Sequence, residues 1–106
     1  MFDALEVSLE TVAALKQPLA VIRTADADLY RQLRRAGSSM PLNIAEGSRR
    51  VGKDRKHLWR VAAGSAAEVR VALRVAVAWG DLDAVAAQRS FELLDRVIAM
   101  LWKMTR

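Results

Sequence analysis

Residues 32–50, QLRRAGSSMPLNIAEGSRR, carry the clearest structural pattern in this chain. Apolar or small residues recur there at the spacing of one helical face. They are Leu33, Ala36, Met40, Ile44 and Gly47. Pro41 interrupts this face, and a proline inside an ordinary helix costs about 3 kcal/mol because it lacks a backbone donor and crowds the carbonyl four residues earlier. The pattern therefore predicts a helix in which other interactions compensate for Pro41.

The composition predicts a single cytoplasmic domain over residues 1–106. Apolar residues make up 53% of the chain, but no run approaches the roughly 18 consecutive apolar residues of a membrane span. The first ten residues, MFDALEVSLE, carry acids where a secretory signal would carry bases. There is no cysteine for a disulfide or a thiolate zinc site.

Positive charge is concentrated in the middle of the chain. Seventeen Lys and Arg against twelve Asp and Glu give a net charge of +5. Residues 1–25 sum to −1, residues 26–50 to +2, residues 51–80 to +4 and residues 81–106 to zero. Such a bias is typical of proteins with a polyanionic partner, although many basic proteins have none.

Four amphipathic segments separated by turn signals predict an all-α, up-and-down four-helix bundle. The first helix opens at Asp3, an N-cap residue, with Phe2 and Val7 spaced as a hydrophobic staple. Pro18 should bend this helix or shorten it. Its predicted core stripe consists of Leu5, Leu9, Val12, Leu15, Leu19 and Ile22.

The second helix is predicted to begin at Thr24 or Asp26 and to end near Arg49, with Gly52 in the break that follows. The third spans about 53–79. One broad face of the third helix collects its core residues. They are Leu58, Val61, Ala62, Ser65, Val69, Ala72, Leu73, Ala76 and Trp79.

Gly80 is predicted to end the third helix, and Asp81 or Asp83 to cap a fourth that runs to about Met104. The fourth helix carries two apolar stripes. One consists of Phe91, Leu94, Ile98 and Leu101, and the other of Leu93, Val97, Met100 and Met104. Two stripes exceed what one small core needs, so part of this surface is expected to meet another subunit.

At residues 40–47, MPLNIAEG, the sequence resembles the four-helix bundle family known from open reading frames inside intervening sequences of bacterial 23S ribosomal RNA genes. Members typically carry a QLRRAA-x-S-IP-x-NIAEG block. The matching residues are Gln32, Leu33, Arg34, Arg35, Ala36, Ser39, Pro41, Asn43, Ile44, Ala45, Glu46 and Gly47. A second family block, Gly-Ser with Glu three residues later, matches Gly64, Ser65 and Glu68, whereas Gly37 stands where Ala is usual.

The resemblance implies an up-and-down four-helix bundle that assembles as a ring, commonly a homopentamer. Related proteins are accessory subunits of diversity-generating retroelements, in which a similar basic barrel contacts nucleic acid and a reverse transcriptase. RNA or DNA and a reverse transcriptase are therefore the implied partners, with no cofactor. For Pro41 the family pattern implies a kink that lets the helix curve around its neighbours, with Ser38, Ser39 and Asn43 placed to satisfy the freed carbonyls.

Ten basic residues form the candidate nucleic-acid-binding set. They are Arg31, Arg34, Arg35, Arg49, Arg50, Lys53, Lys56, Arg60, Arg70 and Arg74. Repeated around a ring, modest phosphate contacts would give avidity and a steep salt dependence without reading sequence. The charges could equally be a solvated face that keeps an apolar protein in solution, and both interpretations stay open. Only Trp59 lies near the basic stripe, so base-specific recognition is not expected, and Trp79 and Trp102 are interpreted as core or interface residues.

Polar residues near the helix faces predict a buried hydrogen-bonded network that Arg34 or Arg35 could join. The full structural motif consists of Pro41, Asn43, Glu46, Gly47, Gly64, Ser65 and Glu68. Glu46 and Glu68 could instead be a carboxylate pair for acid–base work or a di-metal centre. Di-iron bundles use Glu-x-x-His pairs, however, and the single histidine, His57, has no glutamate three residues before it. We therefore predict a structural network, with no metal site and no catalytic residue.

Two functional hypotheses follow. The first is a non-enzymatic, ring-forming helical bundle that binds RNA or DNA through its phosphates, as an accessory to a reverse transcriptase or in ribosomal RNA biology. The alternative is an oligomeric protein scaffold with no nucleic-acid role. For the scaffold, neutralising Arg34, Arg35, Lys56 and Arg60 together should leave partner binding unchanged. An enzyme is the third interpretation, and a metal bound by the two glutamates would favour it.

Overall fold

The computed structural model describes residues 4–106 and places most of them in five helices. The helices are α1 (Ala4–Ala14), α2 (Lys16–Ala25), α3 (Ala27–Ser48), α4 (Gly52–Trp79) and α5 (Gln88–Thr105). There is no β-strand within the described residues, so the all-α prediction is confirmed. The predicted cap residue Asp3 lies outside the described residues, as does Phe2, the predicted staple partner of Val7.

The chain has five helices because the predicted first helix is interrupted at Leu15. Pro18 has no N–H to donate to the carbonyl of Ala14, so the helical ladder lacks one bond at this point. The hydroxyl of Ser90, in α5, donates to that carbonyl at 3.1 Å. Ser90 is 1% exposed, so a buried side chain from a distant part of the chain supplies the bond that Pro18 removes.

The connection between α2 and α3 is a single residue, Asp26, and it caps α3. Its backbone is extended and its carboxylate accepts a hydrogen bond from the N–H of Leu29 at 3.0 Å. Thr24, the other predicted cap, instead donates its hydroxyl to the Val21 carbonyl of α2 at 3.0 Å. Of the two predicted caps, Asp26 is therefore the one in use.

Both glycines predicted to separate helices adopt a positive φ. Gly52 has a φ of +60° and begins α4, one residue earlier than predicted, and Gly80 has a φ of +83° and ends it. Residues with a side chain rarely take this conformation, so the two glycines allow the chain to turn sharply at each end of α4.

The predicted start of the fourth segment was wrong. The carboxylate of Asp83 accepts from the N–H of Val85 at 2.9 Å and closes a turn within the connection 80–87. A new helix, α5, begins only at Gln88 and runs to Thr105, close to the predicted end. An aspartate followed by polar and small residues can cap a turn as readily as a helix, and the sequence pattern does not separate the two.

The helices surround one core. α3 packs on α4, α4 on α5, and α5 on α1, while both α1 and α2 pack on α3. The large side chains at the centre are fully buried or nearly so. They are Leu15, Ile22, Leu33, Met40, Ile44, Val69, Leu73, Leu93, Leu94, Val97 and Leu101. None of the helices described is both long and apolar enough to cross a membrane.

The predicted core stripe of the first helix was partly wrong. Leu15 and Ile22 are buried, but Leu9 is 47% exposed and Leu5, Val12 and Leu19 are only half-buried. The α1 residues that face the core are Ala4, Val7, Ser8 and Thr11. The hydroxyls of Ser8 and Thr11 can be buried because each donates to a carbonyl of its own helix at 2.8 Å.

Two further burial predictions needed correction. On α4, Val61 and Trp79 are exposed although the interior of the predicted face is buried. On α5, the two apolar stripes join into one broad face with Leu93, Leu94 and Val97 at its centre. This face is wide because α5 packs on α1 and on α4, so two stripes do not by themselves require a second subunit.

Candidate nucleic-acid interface

The end of the MPLNIAEG motif is closed by the first turns of α4. Gly47 lies so near Trp59 that a methyl group there would be 2.6 Å from the Cδ1 atom of the indole ring. The indole N–H donates to the Ile44 carbonyl at 3.2 Å. Arg55 donates to the carbonyls of Gly47 and Ser48 at 3.2 and 3.1 Å, and its guanidinium lies over the Trp59 ring. The last carbonyls of α3 are therefore bound by α4 side chains.

Part of the predicted polar network is present. The side-chain amide of Asn43 donates to the carbonyl of Ser39 at 2.9 Å and to its hydroxyl oxygen at 3.0 Å. The Ser65 hydroxyl of α4 donates to the same oxygen of Ser39 at 2.9 Å. The Asn43 bonds span the turn of α3 that contains Pro41, and the Ser65 bond joins this turn to α4. Helix α3 continues past the proline to Ser48.

The two glutamates do not belong to this network, and that prediction was wrong. Glu46 forms an ion pair with Arg50 at 2.9 Å, four residues along the chain and just past the end of α3. Glu68 is exposed and lines a shallow groove between α3 and α4 with Gln32 and Val71. Helix geometry is the reason, because positions four apart on one helix reach each other more easily than positions on two helices. Among residues 4–106, no group of three acidic, His or Cys side chains could hold a metal ion.

The candidate basic residues fall into three groups. The first group, Arg31, Arg34 and Arg35, lies on the N-terminal half of α3 and is exposed. Arg31 forms an ion pair with Asp28. Arg34 lines a groove with Leu19 of α2, so part of this group faces the α1–α2 side of the protein.

The second group, Arg70 and Arg74, lines a groove between α4 and α5 together with Phe91. Arg70 forms an ion pair with Asp95 of α5 at 2.9 Å and lies over the ring of Phe91. A carboxylate therefore already neutralises one of its two charges.

The third group lies where α3 ends and α4 begins, and we call it the basic corner. It consists of Arg49, Arg50, Lys53, Arg55, Lys56 and Arg60. Asp54 is the only acid within residues 49–60, so this segment has a net charge of +5 and the rest of the chain sums to zero. The basic corner also contacts the end of α5, because Lys56 donates to the Arg106 carbonyl at 3.4 Å and Arg60 to the Thr105 carbonyl at 3.0 Å.

The three groups differ in what binds their cations. In the first two groups Arg31 and Arg70 are paired with carboxylates, which cancel the charge. In the basic corner, Arg50 is the only cation paired with a side-chain carboxylate among residues 4–106, Arg55 and Arg60 bind neutral carbonyl oxygens, and Lys56 binds the main-chain oxygen of Arg106. A hydrogen bond to a carbonyl positions a cation and leaves its charge in place, so the positive potential is strongest at the basic corner.

Arg55 was missing from the predicted basic set. The predicted set follows the outer face of α4. Arg55 does not belong to that face because its side chain bends back toward the end of α3. The signal in the sequence was Arg55 and Trp59 four residues apart at the start of a helix, with a guanidinium able to stack on the indole. His57 is exposed.

Trp79 and Trp102 were predicted to be core or interface residues; they are not in the core, and the interface position stays a prediction. Trp79 is 74% exposed and Trp102 is 68% exposed. Both lie near the end of a helix, where a large side chain can project beyond its neighbours. Trp59, by contrast, is half-buried under Arg55.

Comparisons with known proteins agree on the fold. A family model described as "23S rRNA-intervening sequence protein" matches residues 3–103. A crystal structure of a protein of unknown function from Bacteroides thetaiotaomicron, of the S23 ribosomal protein family, superposes with a TM-score of 0.87. The two are 15% identical, and the match covers 98% of this chain and 99% of the other. None of the curated proteins matches the chain.

Proposed function

Because the chain belongs to the 23S rRNA-intervening sequence protein family, we propose that it is a non-enzymatic, oligomeric helical protein that binds RNA or DNA through phosphates. In this proposal α1 and α2 are one interrupted helix, and the fold is an up-and-down four-helix bundle. The proposed role is that of an accessory protein to a reverse transcriptase or a role in ribosomal RNA biology.

One observation carries the proposal of nucleic-acid binding. The basic corner holds the whole net charge of the chain within twelve residues, and within the described part of the chain only one of its six cations is paired with a side-chain carboxylate. Lys and Arg side chains bind phosphates favourably because they displace the counterions that surround the nucleic acid. A cation that is hydrogen-bonded to a neutral carbonyl keeps its charge and can still displace them. The ion-paired arginines on the sides of the protein would contribute less.

We also propose that the protein assembles into a homo-oligomeric ring, a pentamer by the family resemblance. Support comes from two exposed leucines, one on α1 and one on α3. Leu9 is 47% exposed, and Leu42 of α3 is 67% exposed. Leu9 lies 17 residues before the turn at Asp26 and Leu42 lies 16 residues after it, so α1 and α2 taken as one helix antiparallel to α3 would bring the two leucines to similar heights. A second subunit that covers this surface would bury both.

The test of nucleic-acid binding is its salt dependence. We expect the intact protein to bind single-stranded RNA or DNA, and to lose at least about tenfold in affinity between roughly 50 and 200 mM salt. Replacement of Arg49, Arg50 and Lys53 by glutamine should weaken binding and flatten this dependence. These three are chosen because the Lys56 and Arg60 side chains also hold the end of α5. No binding at low salt, or binding that ignores salt, would refute the proposal.

The second candidate function is a protein scaffold whose charges only solvate it. The ion pairs of Arg31, Arg50 and Arg70 favour it, because three of the candidate cations are already neutralised in place. In that case the variant with Arg34, Arg35, Lys56 and Arg60 neutralised should bind its protein partner as well as the wild type does.

A further inference from the structure

A groove beside the basic corner combines cations with an exposed aromatic ring. Arg60 and Ala63 of α4 line it on one side, and Ile98, Trp102 and Arg106 on the other. The bonds from Lys56 and Arg60 to the last residues of α5 fix this groove at the same end of the protein as the basic corner. The ring of Trp102 is therefore next to the strongest positive charge of the chain.

Most aromatic rings of the described chain are already covered by an arginine. Arg23 lies over Tyr30, Arg55 over Trp59 and Arg70 over Phe91, with 5.3 to 5.9 Å from guanidinium to ring centre. The remaining Phe, Tyr and Trp residues within 4–106 are Trp79 and Trp102, both largely exposed. Of these large rings, they are the two with a face available to a ligand.

Charge separates the two exposed tryptophans. Trp79 ends α4 and is followed by Asp81 and Asp83, so an anionic ligand would be repelled there. Trp102 shares its groove with Arg60 and Arg106. A polyanion drawn to the basic corner would thus bring its bases to Trp102 and not to Trp79.

We propose that this groove binds single-stranded nucleic acid, with a base stacked on Trp102 and the flanking phosphates held by the basic corner. The proposal rests on the function proposed above and adds the preferred form of the ligand. An unpaired base offers its flat face to an aromatic ring, whereas a duplex offers mainly phosphates at its surface. Stacking tolerates any base, so the site needs no sequence-specific hydrogen bonds.

The test compares two tryptophan variants on two ligands. The probes are an oligo(U) of about ten nucleotides and an RNA duplex of the same length, each titrated against the full chain at low salt. Trp102→Ala should weaken oligo(U) binding by about tenfold and leave duplex binding within about twofold, since base stacking alone is lost. Trp79→Ala, the matched control, should leave both affinities within about twofold.

A second variant guards against a purely structural effect. Trp102→Phe keeps an aromatic face and should retain most of the oligo(U) affinity, and circular dichroism should report wild-type helicity for all variants. An equal loss of oligo(U) and duplex binding in Trp102→Ala would overturn the inference, and so would no loss at all. The latter result would leave Trp102 as a contact for a protein partner.

The outcomes separate the inference from the function beneath it. If the wild type binds neither probe, the proposed function fails. If the wild type binds both and responds to Arg49, Arg50 and Lys53 replacement but not to Trp102→Ala, the function stands and the assignment of the groove fails. A control that replaces Lys16, Arg89 and Arg96 by glutamine, three exposed basic residues outside the candidate set, should leave both affinities near those of the wild type.

Discussion

Gly47 shows how one residue of the motif is required by a contact from another helix. A side chain at this position would collide with the indole of Trp59, whose N–H binds the carbonyl of Ile44. Gly64, the glycine of the second family block, is different, because a methyl group there would meet no atom within 4 Å. Two glycines in helices of the same chain therefore have opposite local requirements.

Replacement of each glycine by alanine should shift stability in opposite directions. Gly47→Ala should lower the free energy of unfolding by about 1–3 kcal/mol, because Trp59 must move and strain its bond to Ile44. Gly64→Ala should raise it by about 1 kcal/mol through helix propensity alone. Urea denaturation of the two variants measures both. Equal effects, or a stable Gly47→Ala, would show that Trp59 can move at no cost.

The cations at single positions could be identified from the sequence, but their partners could not. Arg50 and Glu46 are four residues apart at the end of α3, a spacing that allows an ion pair, yet the prediction assigned Glu46 to a network with Glu68. The partners of Arg55 and Arg60 are backbone carbonyls at helix ends. Every residue has a backbone carbonyl, so the sequence does not show which one a side chain will contact. Such contacts can be assigned only when the positions of the helix ends are known.

Among the helices, the junction of α1 and α2 depends on a residue far away in the chain. Pro18 removes the donor for the Ala14 carbonyl, and the buried Ser90 of α5 replaces it. The break was predicted from Pro18, but Ser90 was not assigned a role. From sequence alone, a serine in an amphipathic helix is usually assigned to the surface. The packing of α5 on α1 is what brings Ser90 to the Ala14 carbonyl.

A double-mutant cycle should detect this replacement. Ser90→Ala should lower the free energy of unfolding by about 1–2 kcal/mol, because the Ala14 carbonyl is left buried without a partner. In a Pro18→Ala background the new N–H can donate to that carbonyl, so the same serine change should cost less, with a coupling of at least about 0.5 kcal/mol. Thermal or urea unfolding of the four proteins gives the coupling. An equal cost in both backgrounds would mean that the Ser90 bond and Pro18 are unrelated.

Helix boundaries were predictable where a glycine or a cap marks them and not where a turn intervenes. Gly80 ends α4 and Asp26 caps α3 as predicted. Asp83 was misassigned because its side chain closes a local turn. The core face of α1 was missed for a related reason, since Ser8 and Thr11 satisfy their hydroxyls within the helix and are buried despite their polarity.

For the whole protein, the two exposed leucines of the proposed ring contact lie outside the basic corner. The basic corner is at the junction of α3 and α4, whereas Leu9 and Leu42 lie along the sides of α1 and α3. A ring built through the apolar surface would thus leave the basic corner of every subunit accessible. Repetition of the corner around a ring would strengthen binding to a long polyanion through effective concentration.

The proposed ring has a direct test by mass. Native mass spectrometry of the wild type should give an oligomer, with five copies expected from the family resemblance. Leu9→Gln combined with Leu42→Gln should shift it to smaller species, because the buried apolar area of the contact is lost. Val85→Gln, at an exposed apolar residue in the connection before α5, should leave the assembly intact. A monomeric wild type would exclude the ring, and an unaffected double variant would place the contact elsewhere.

Two cations of the basic corner already bind main-chain oxygens at the end of α5, and a phosphate ligand would compete for them. Lys56 and Arg60 hold the last turn of α5 across sequence separations of 50 and 45 residues. A phosphate group that attracts either side chain must draw it from that turn, so occupancy of the corner and fraying of α5 are thermodynamically linked. Amide protons near Thr105 should therefore exchange with solvent faster when a polyanion is bound, and the end of α5 becomes a natural reporter of the ligand.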